Sequence, residues 1–276
     1  MKNIKLTIEY DGTNYFGWQV QPEVSSVQGE IKKAIKILTN EDIDLTGAGR
    51  TDRKVHARGQ VANFMTNSSI PAEKFSYAIN KYLPQDISIV KSEEVDINFH
   101  SRYDAIGKEY RYLIYNTHIR SSLLRNYTYH VPYNLDFKKM DIAKDFFLGT
   151  HDFSAFMSTG SSIENTVRTI YAVSLCQKNN IICFEVQGNG FLYNMVRIMV
   201  GTLIDVGSGK IRPESIPIIL ESKDRKKAGH TAKPQGLYLE KVYYWNEIYF
   251  LTHLVHCITI YKSVWMKNPL APDFSI

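Results

Sequence analysis

The sequence has few cysteines: three in 276 residues, Cys176, Cys183 and Cys257, with no CxxC pair. So sparse and odd a set argues against a disulfide framework and fits a reducing compartment. Long apolar runs are lacking too. The N-terminus, MKNIKLTIEYDG, is charged and then alternating, without the apolar stretch of a signal peptide. The one membrane-like segment, Ile248 to Trp265, is interrupted by Thr252, His253, His256, Thr259 and Lys262. A spanning helix needs about 18 or more apolar residues in a row. These absences predict a cytoplasmic protein with no membrane partner. Metal-ligand spacing is equally thin, because His253 and His256 form an HxxH without a third ligand.

What is present is the balance of a globular protein, 44% hydrophobic and 22% charged. Lys and Arg exceed Asp and Glu by 33 to 28, a net charge of +5. That excess permits a polyanionic partner without demonstrating one.

Ile4, Leu6, Ile8 and Tyr10 alternate with polar residues, which predicts a half-buried opening strand. Ser25 and Gln28 have capping-box spacing, and Val27, Ile31, Ile35 and Leu38 recur at helical intervals. A short strand around Ile43 and Leu45, the glycine-bearing segment Gly47 to Arg50 and a strand over Gln60 to Phe64 come next. A second helix carries Phe75, Ile79 and Tyr82 between Pro71 and Pro84. Strand, helix, strand, strand, helix, strand is the order of an α+β plait.

The same type of pattern returns after a seam near Ser101 to Gly107, with Tyr110, Tyr112 and Ile114 alternating on a strand. A helix is expected over 137–148, strands over 170–176 and 181–187, and a long helix over 193–206. The expected fold class is α+β: two plait-like halves, ferredoxin- or RNA-recognition-like, join antiparallel sheets around a central basic cleft. The halves run over 1–104 and 105–245, and a tail, 246–276, has no assigned role. No Pro- or Gly-rich linker marks the seam, which predicts a continuous core.

One segment stands apart: Gly47 to Gln60, GAGRTDRKVHARGQ. Asp52 lies there among Arg50, Arg53, Lys54 and Arg58, on a loop between two strands. Nearby cations favour an ionised carboxylate, usable as a nucleophile or base, and arginines in that setting can hold phosphate. The same residues also read as a turn with a local salt bridge. The segment is no nucleotide loop, because it has neither the GxGxxG pattern nor the GK[ST] ending. Arg197 sits among apolar residues in Asn194 to Val200, where a guanidinium needs an anion. His56 suits a structural hydrogen bond better than acid–base work. The basic run KDRKK, Lys223 to Lys227, is a solvated face or an RNA contact.

These residues resemble a known family. GRTDRKVHARGQV looks like the signature GRTDxGVHAxGQV of the TruA-type tRNA pseudouridine synthases. FHSRY (Phe99 to Tyr103) and KEYRYLIYN (Lys108 to Asn116) are similar to its FHARF and RRYRYIIYN. GTHDFSAF (Gly149 to Phe156) resembles GxHDFxxF. GNGFLYNMVRIMVGTLIDVG (Gly188 to Gly207) resembles GNSFLxHMVRNIVGxLxxVG, and TAKPQGLYLEKVYY (Thr231 to Tyr244) resembles TAPAxGLxLxxVxY.

The resemblance implies isomerisation of uridine to pseudouridine in the anticodon arm of tRNA, at positions 38 to 40, by a homodimer without cofactor or metal. Asp52 matches the catalytic aspartate, acting by addition to the base or through a glycal pathway. Tyr110 matches the aromatic residue that stacks on the extruded base, and Arg197 the partner of the aspartate. Arg50 and Arg58 fit phosphate contacts. In one departure, Arg53-Lys54 stands where the family usually has a glycine before Val-His-Ala, which restricts the backbone and adds charge. That leaves open a diverged paralogue acting on another uridine, for example in ribosomal RNA. A catalytically silent RNA-binding protein, or an α+β protein with no nucleic-acid partner, are the remaining readings.

Overall fold

The computed structural model describes residues 1–160 and 163–245. The tail expected over 246–276, with its membrane-like segment, HxxH pair and Cys257, lies outside them. Among the described residues, no helix is long and apolar enough to cross a membrane.

The first half runs β1 (Lys2–Tyr10), α1 (Val27–Thr39), β2 (Thr46–Gly47), β3 (His56–Thr66), α2 (Phe75–Asn80) and β4 (Ile87–Val95). The second runs β5 (Ala105–Asn116), β6 (Tyr129–Val131), α3 (Phe137–Asp145), β7 (Gly149–Asp152), β8 (Val167–Lys178), β9 (Ile181–Gly188), α4 (Met195–Gly207), α5 (Ser215–Ser222) and β10 (Leu237–Tyr244). All ten strands join one sheet, ordered β4-β1-β3-β10-β5-β9-β8-β7, with β2 beside β3 and β6 beside β5. The class is mixed α+β, as expected.

In the first half the neighbours are β4-β1-β3-β2; in the second they are β10-β5-β9-β8. With the short β6 and β7 and the helix α5 set aside, each half is a strand–helix–strand–strand–helix–strand series, and numbered within it both read fourth, first, third, second. The halves meet where β10 runs parallel to β3, Tyr238 opposite His56 and Leu239 opposite Ala57. β2, only two residues long, covers the other part of β3, at Asn63 and Ala62. The chain leaves β2 and re-enters β3 through the segment that carries Asp52, so that segment lies at the junction of the two halves.

Alternation decides which strand face is buried. Ile4, Leu6 and Ile8 are fully buried, facing Phe64, Ala62 and Gln60 across the β1–β3 ladder. One apolar cluster extends from Ile4 to Tyr244, through both halves. Local details differ from the sequence expectation. The cap of α1 is Ser26, not Ser25: its Oγ accepts from the Gly29 amide at 3.3 Å, an arrangement that contributes about 1 kcal/mol. Gln28 makes no capping box; its amide accepts from Val20 N and donates to Leu45 O, tying the approach of the helix to the strand region. α2 stops at Asn80, whose amide exchanges two hydrogen bonds with the Ile89 backbone, leaving Tyr82 exposed. α3 ends at Asp145, three residues short of expectation.

Candidate active site

The Asp52 loop is pinned on both sides of the carboxylate. The Thr51 hydroxyl bonds the Tyr10 phenol at 2.7 Å, and Thr51 O accepts from Trp18 N at 3.1 Å. Val55 N donates to Asp52 O, closing a turn, and Gln60 donates to Gly49 O. Gly17, at φ +106°, permits this approach: a Cβ there would lie 2.6 Å from Thr51 O. The result is a short loop with little backbone freedom.

Arg197 enters from the first turn of α4, in the other half of the chain. Its Nη1 donates to Asp52 Oδ2 at 3.2 Å and to Asn194 Oδ1, and its Nε donates to Ala232 O at 2.8 Å. Ala232 N in turn donates to Arg197 O. Gly201 lets α4 approach that segment, since any Cβ there would overlap the His230 carbonyl. The guanidinium is therefore fixed before any substrate arrives. Asp52 Oδ2 is held, while Oδ1 makes no hydrogen bond to another described residue. One oxygen is anchored and the other is free for chemistry.

The expectation that surrounding cations depress the Asp52 carboxyl is overturned. Burial pushes it above the ordinary aspartate value, and Arg197 pulls the other way without overcoming that. Arg50, Arg53 and Lys54 are adjacent in sequence but form no ion pair with it among the described residues. Charge proximity along the chain did not become ion pairing.

Tyr110, on β5, lines the same cleft as Asp52, a space of about 1010 Å³ that also meets Trp18, Phe191, Tyr193 and Arg197. Its ring meets Phe191 edge-on at 5.1 Å. Burial and the charges of Tyr10 and Asp52 push the phenol up, so it stays protonated at neutral pH. Its hydroxyl bonds no other described residue. A mostly buried ring with one edge on a cleft can serve both as core packing and as a platform for a planar ligand.

The remaining candidates separate. Arg50 lines this cleft and a smaller neighbouring one of about 550 Å³. Arg58 lines neither: its Nε lies 4.0 Å from Glu240 and its guanidinium sits over the Tyr238 ring. His56 is buried and saturated. Gly12 N donates to Nδ1 at 3.1 Å, and Nε2 lies 2.9 and 3.2 Å from the carbonyls of Asn126 and Gln235. Asp11 Oδ1 also lies 3.1 Å from Nδ1, and burial lowers the ring's pKa against the pull of that carboxylate. It is structural, as the sequence suggested. In the basic run two cations have partners: Lys223 pairs with Asp152 at 2.9 Å, and Arg225 donates to the Ala228 and Gly229 carbonyls.

Two site residues escaped the sequence reading. Lys108 lines the larger cleft with its ammonium 2.8 Å from Ala48 O. Burial, with Arg102 and Arg168 nearby, pushes it down to about 8. Its position two residues before Tyr110 on β5 could have placed it on the same face. Asn194 holds a left-handed conformation at φ 60° and braces Arg197, while its amide donates to Ser158 Oγ. Nothing in its spacing signalled that role. Lys54 is also left-handed, at φ 64°, which explains why a glycine suits this place: a side chain there costs about 1–2 kcal/mol.

A family profile described as tRNA pseudouridine synthase matches residues 6–104 and 143–245. The chain belongs to that family. It is 61% identical over 244 residues to tRNA pseudouridine synthase A of Acetivibrio thermocellus, which spans 88% of this chain and all of that protein. The enzymes of the same name from Ruminiclostridium cellulolyticum and Caldicellulosiruptor saccharolyticus are 55% and 54% identical, again over 88% of this chain and 100% of their own length. Asp52 and Arg197 fall one in each of the two matched stretches.

Proposed function

We propose that the protein isomerises uridine to pseudouridine in tRNA, with Asp52 as the catalytic carboxylate. One observation carries this reading. A carboxylate with one oxygen anchored on Arg197 and the other free faces a nucleotide-sized cleft, beside an aromatic ring. The family membership supports it.

In the reaction the C1′–N1 glycosidic bond breaks, a C1′–C5 bond forms, C5 loses its proton and N1 gains one. No electrons are transferred to or from the substrate. Asp52 supplies the anionic oxygen, whether it attacks the base or acts along a glycal path. Arg197 fixes its orientation and stabilises its charged form. Tyr110 offers a π-face to a base that has left its stack. Its phenol can also relay the C5 proton, taking it up as its own O–H proton is passed on. Arg50 holds phosphate at the rim.

The finer expectations belong to the same proposal: uridines 38 to 40 of the anticodon arm, a homodimer and a cytoplasmic location. The division at 104/105 is likewise proposed, supported by the equal strand order on its two sides. Tritium release from tRNA containing 5-tritiated uridine tests the chemistry, and wild-type protein should free the label. Pseudouridine mapping of cellular RNA with and without the protein tests the target. Loss of a modification in ribosomal RNA alone would overturn the tRNA assignment.

A further inference from the structure

The smaller cleft is not absorbed by the chemistry above. It adjoins the larger one and shares Arg50, Asp52, Tyr193 and Arg197 with it, but Tyr110 does not line it. A base stacked on Tyr110 would therefore leave this second space vacant. Two aromatic rings wall it from opposite halves of the chain. Phe16 is 41% exposed and Tyr193 46%, in a protein that buries most of its large apolar side chains.

Its charge is one-sided. Asp52 is the only carboxylate in the lining, and Arg197 already neutralises it. Arg50, Arg53 and Lys54 remain, with no carboxylate within ion-pair distance among the described residues. Some exposed lysines elsewhere find one, such as Lys33 with Glu30, Lys36 with Asp42 and Lys91 with Glu93, and others such as Lys81 and Lys178 do not among the described residues; what marks this cleft is that three such cations line it together. Arg53 stacks its guanidinium 4.1 Å from the Phe16 ring centroid, a combined cation and π surface. Lys54 lines this cleft while holding a left-handed backbone that glycine would adopt freely.

Unpaired cations beside exposed aromatic rings are the features that bind a single nucleotide strand: phosphate on the cations, base on the rings. We infer that the smaller cleft is a second nucleotide subsite, taking the residue adjacent to the target uridine, with its phosphate on Lys54 and Arg50 and its base against Tyr193 and the Arg53–Phe16 pair. The inference rests on the RNA-modifying reading and adds to it a contact that includes Lys54, where the sequence departs from the signature's glycine.

The test uses the full chain, a tRNA transcript and two variants. Lys54→Ala removes the cation while keeping a Cβ at the left-handed position; Lys54→Gly removes the cation and the strain together. Both should weaken tRNA binding by about three- to tenfold and lower the slope of log affinity against log salt by about one. The loss should fall on KM rather than kcat. The melting temperature of Lys54→Gly should be unchanged or raised. Replacing the phosphates flanking the target one at a time by neutral methylphosphonates should weaken wild-type binding at one position and weaken Lys54→Ala clearly less there, the remainder being the Arg50 contact. Wild-type affinity in both variants overturns the subsite, as does recovery of affinity in Lys54→Gly but not Lys54→Ala, or additive effects of variant and methylphosphonate at every position. Wild-type protein that releases no tritium from any tRNA overturns the underlying reading instead.

Discussion

Two carboxylates in this molecule are each pushed up by burial and each lie beside arginine. Asp52 meets Arg197 at 3.2 Å; Glu240 lies 3.4 Å from Arg111, which also pairs with Glu185 at 2.9 Å. Residue type and titration behaviour do not tell them apart. Access does. The Asp52 side chain is 32% exposed and borders two clefts, whereas that of Glu240 is 12% exposed and borders neither. A perturbed carboxyl beside a guanidinium is thus a common structural element, and the cavity in front of it makes a reactive site possible.

The largest expected effect separates the pair outright. Asp52→Ala should lower tritium release by about 10⁴-fold or more with the fold retained. Glu240→Ala should keep activity per folded molecule within about threefold and lose about 1–3 kcal/mol of stability. A folded but inactive Glu240→Ala would break the comparison.

Arg197→Gln should reduce kcat by about 10²–10³-fold, and it sharpens the electrostatics. In the proposed reaction ionised Asp52 is the working form, and its folded pKa lies above the ordinary value of about 3.9. The acid limb of kcat/KM should therefore lie above that value, and Arg197→Gln should move it higher by removing the opposing cation. The stability sign follows. A carboxyl with a raised folded pKa favours the fold while neutral, below its unfolded pKa, and that contribution is lost as pH rises through the folded value. Melting temperatures of Asp52→Asn and wild type should diverge in the variant's favour as pH rises from 4 to 7. A constant gap would show that Asp52 does not titrate as described.

Smaller effects test the walls of the cleft. Tyr110→Leu removes the ring and should cost about 10- to 100-fold in kcat/KM, corresponding to a base stack of about 1–3 kcal/mol; Tyr110→Phe keeps the stack, and its deficit reads the phenol alone. Arg58→Ala should change tRNA affinity by less than about twofold and Arg50→Ala by about fivefold, both measured across a salt series. Equal losses in the two would place Arg58 on the RNA path after all.

Much of the fold was legible because burial imposes a period. Ile4, Leu6 and Ile8 alternate since one face of β1 is packed, and Val27, Ile31 and Ile35 recur since one stripe of α1 is. Ends were less legible, being set by contacts distant in sequence: Gln28 reaches Leu45 instead of its own helix, and the Asn80 amide holds Ile89. In the site, the loop motif named Asp52, and the apolar surroundings of Arg197 announced a missing anion. For Arg58 and the basic run Lys223 to Lys227 the sequence left the partners open, because charge along a chain says nothing about which face of a sheet or which local carbonyl will meet it.

The sequence by itself determined the family and the α+β pattern, and it singled out Asp52 as the candidate carboxylate, because local periodicity and ordered motifs are carried by neighbouring residues. Only the tertiary structure decided that β10 lies beside β3, bringing α4 and its Arg197 to the Asp52 loop from 145 residues away. It also decided that burial outweighs the neighbouring cations in setting the Asp52 carboxyl, and that Lys54 stands in a glycine's conformation at the edge of a second cleft. Desolvation, ion pairing and shape depend on what surrounds a group in space, and that is fixed only when distant segments pack.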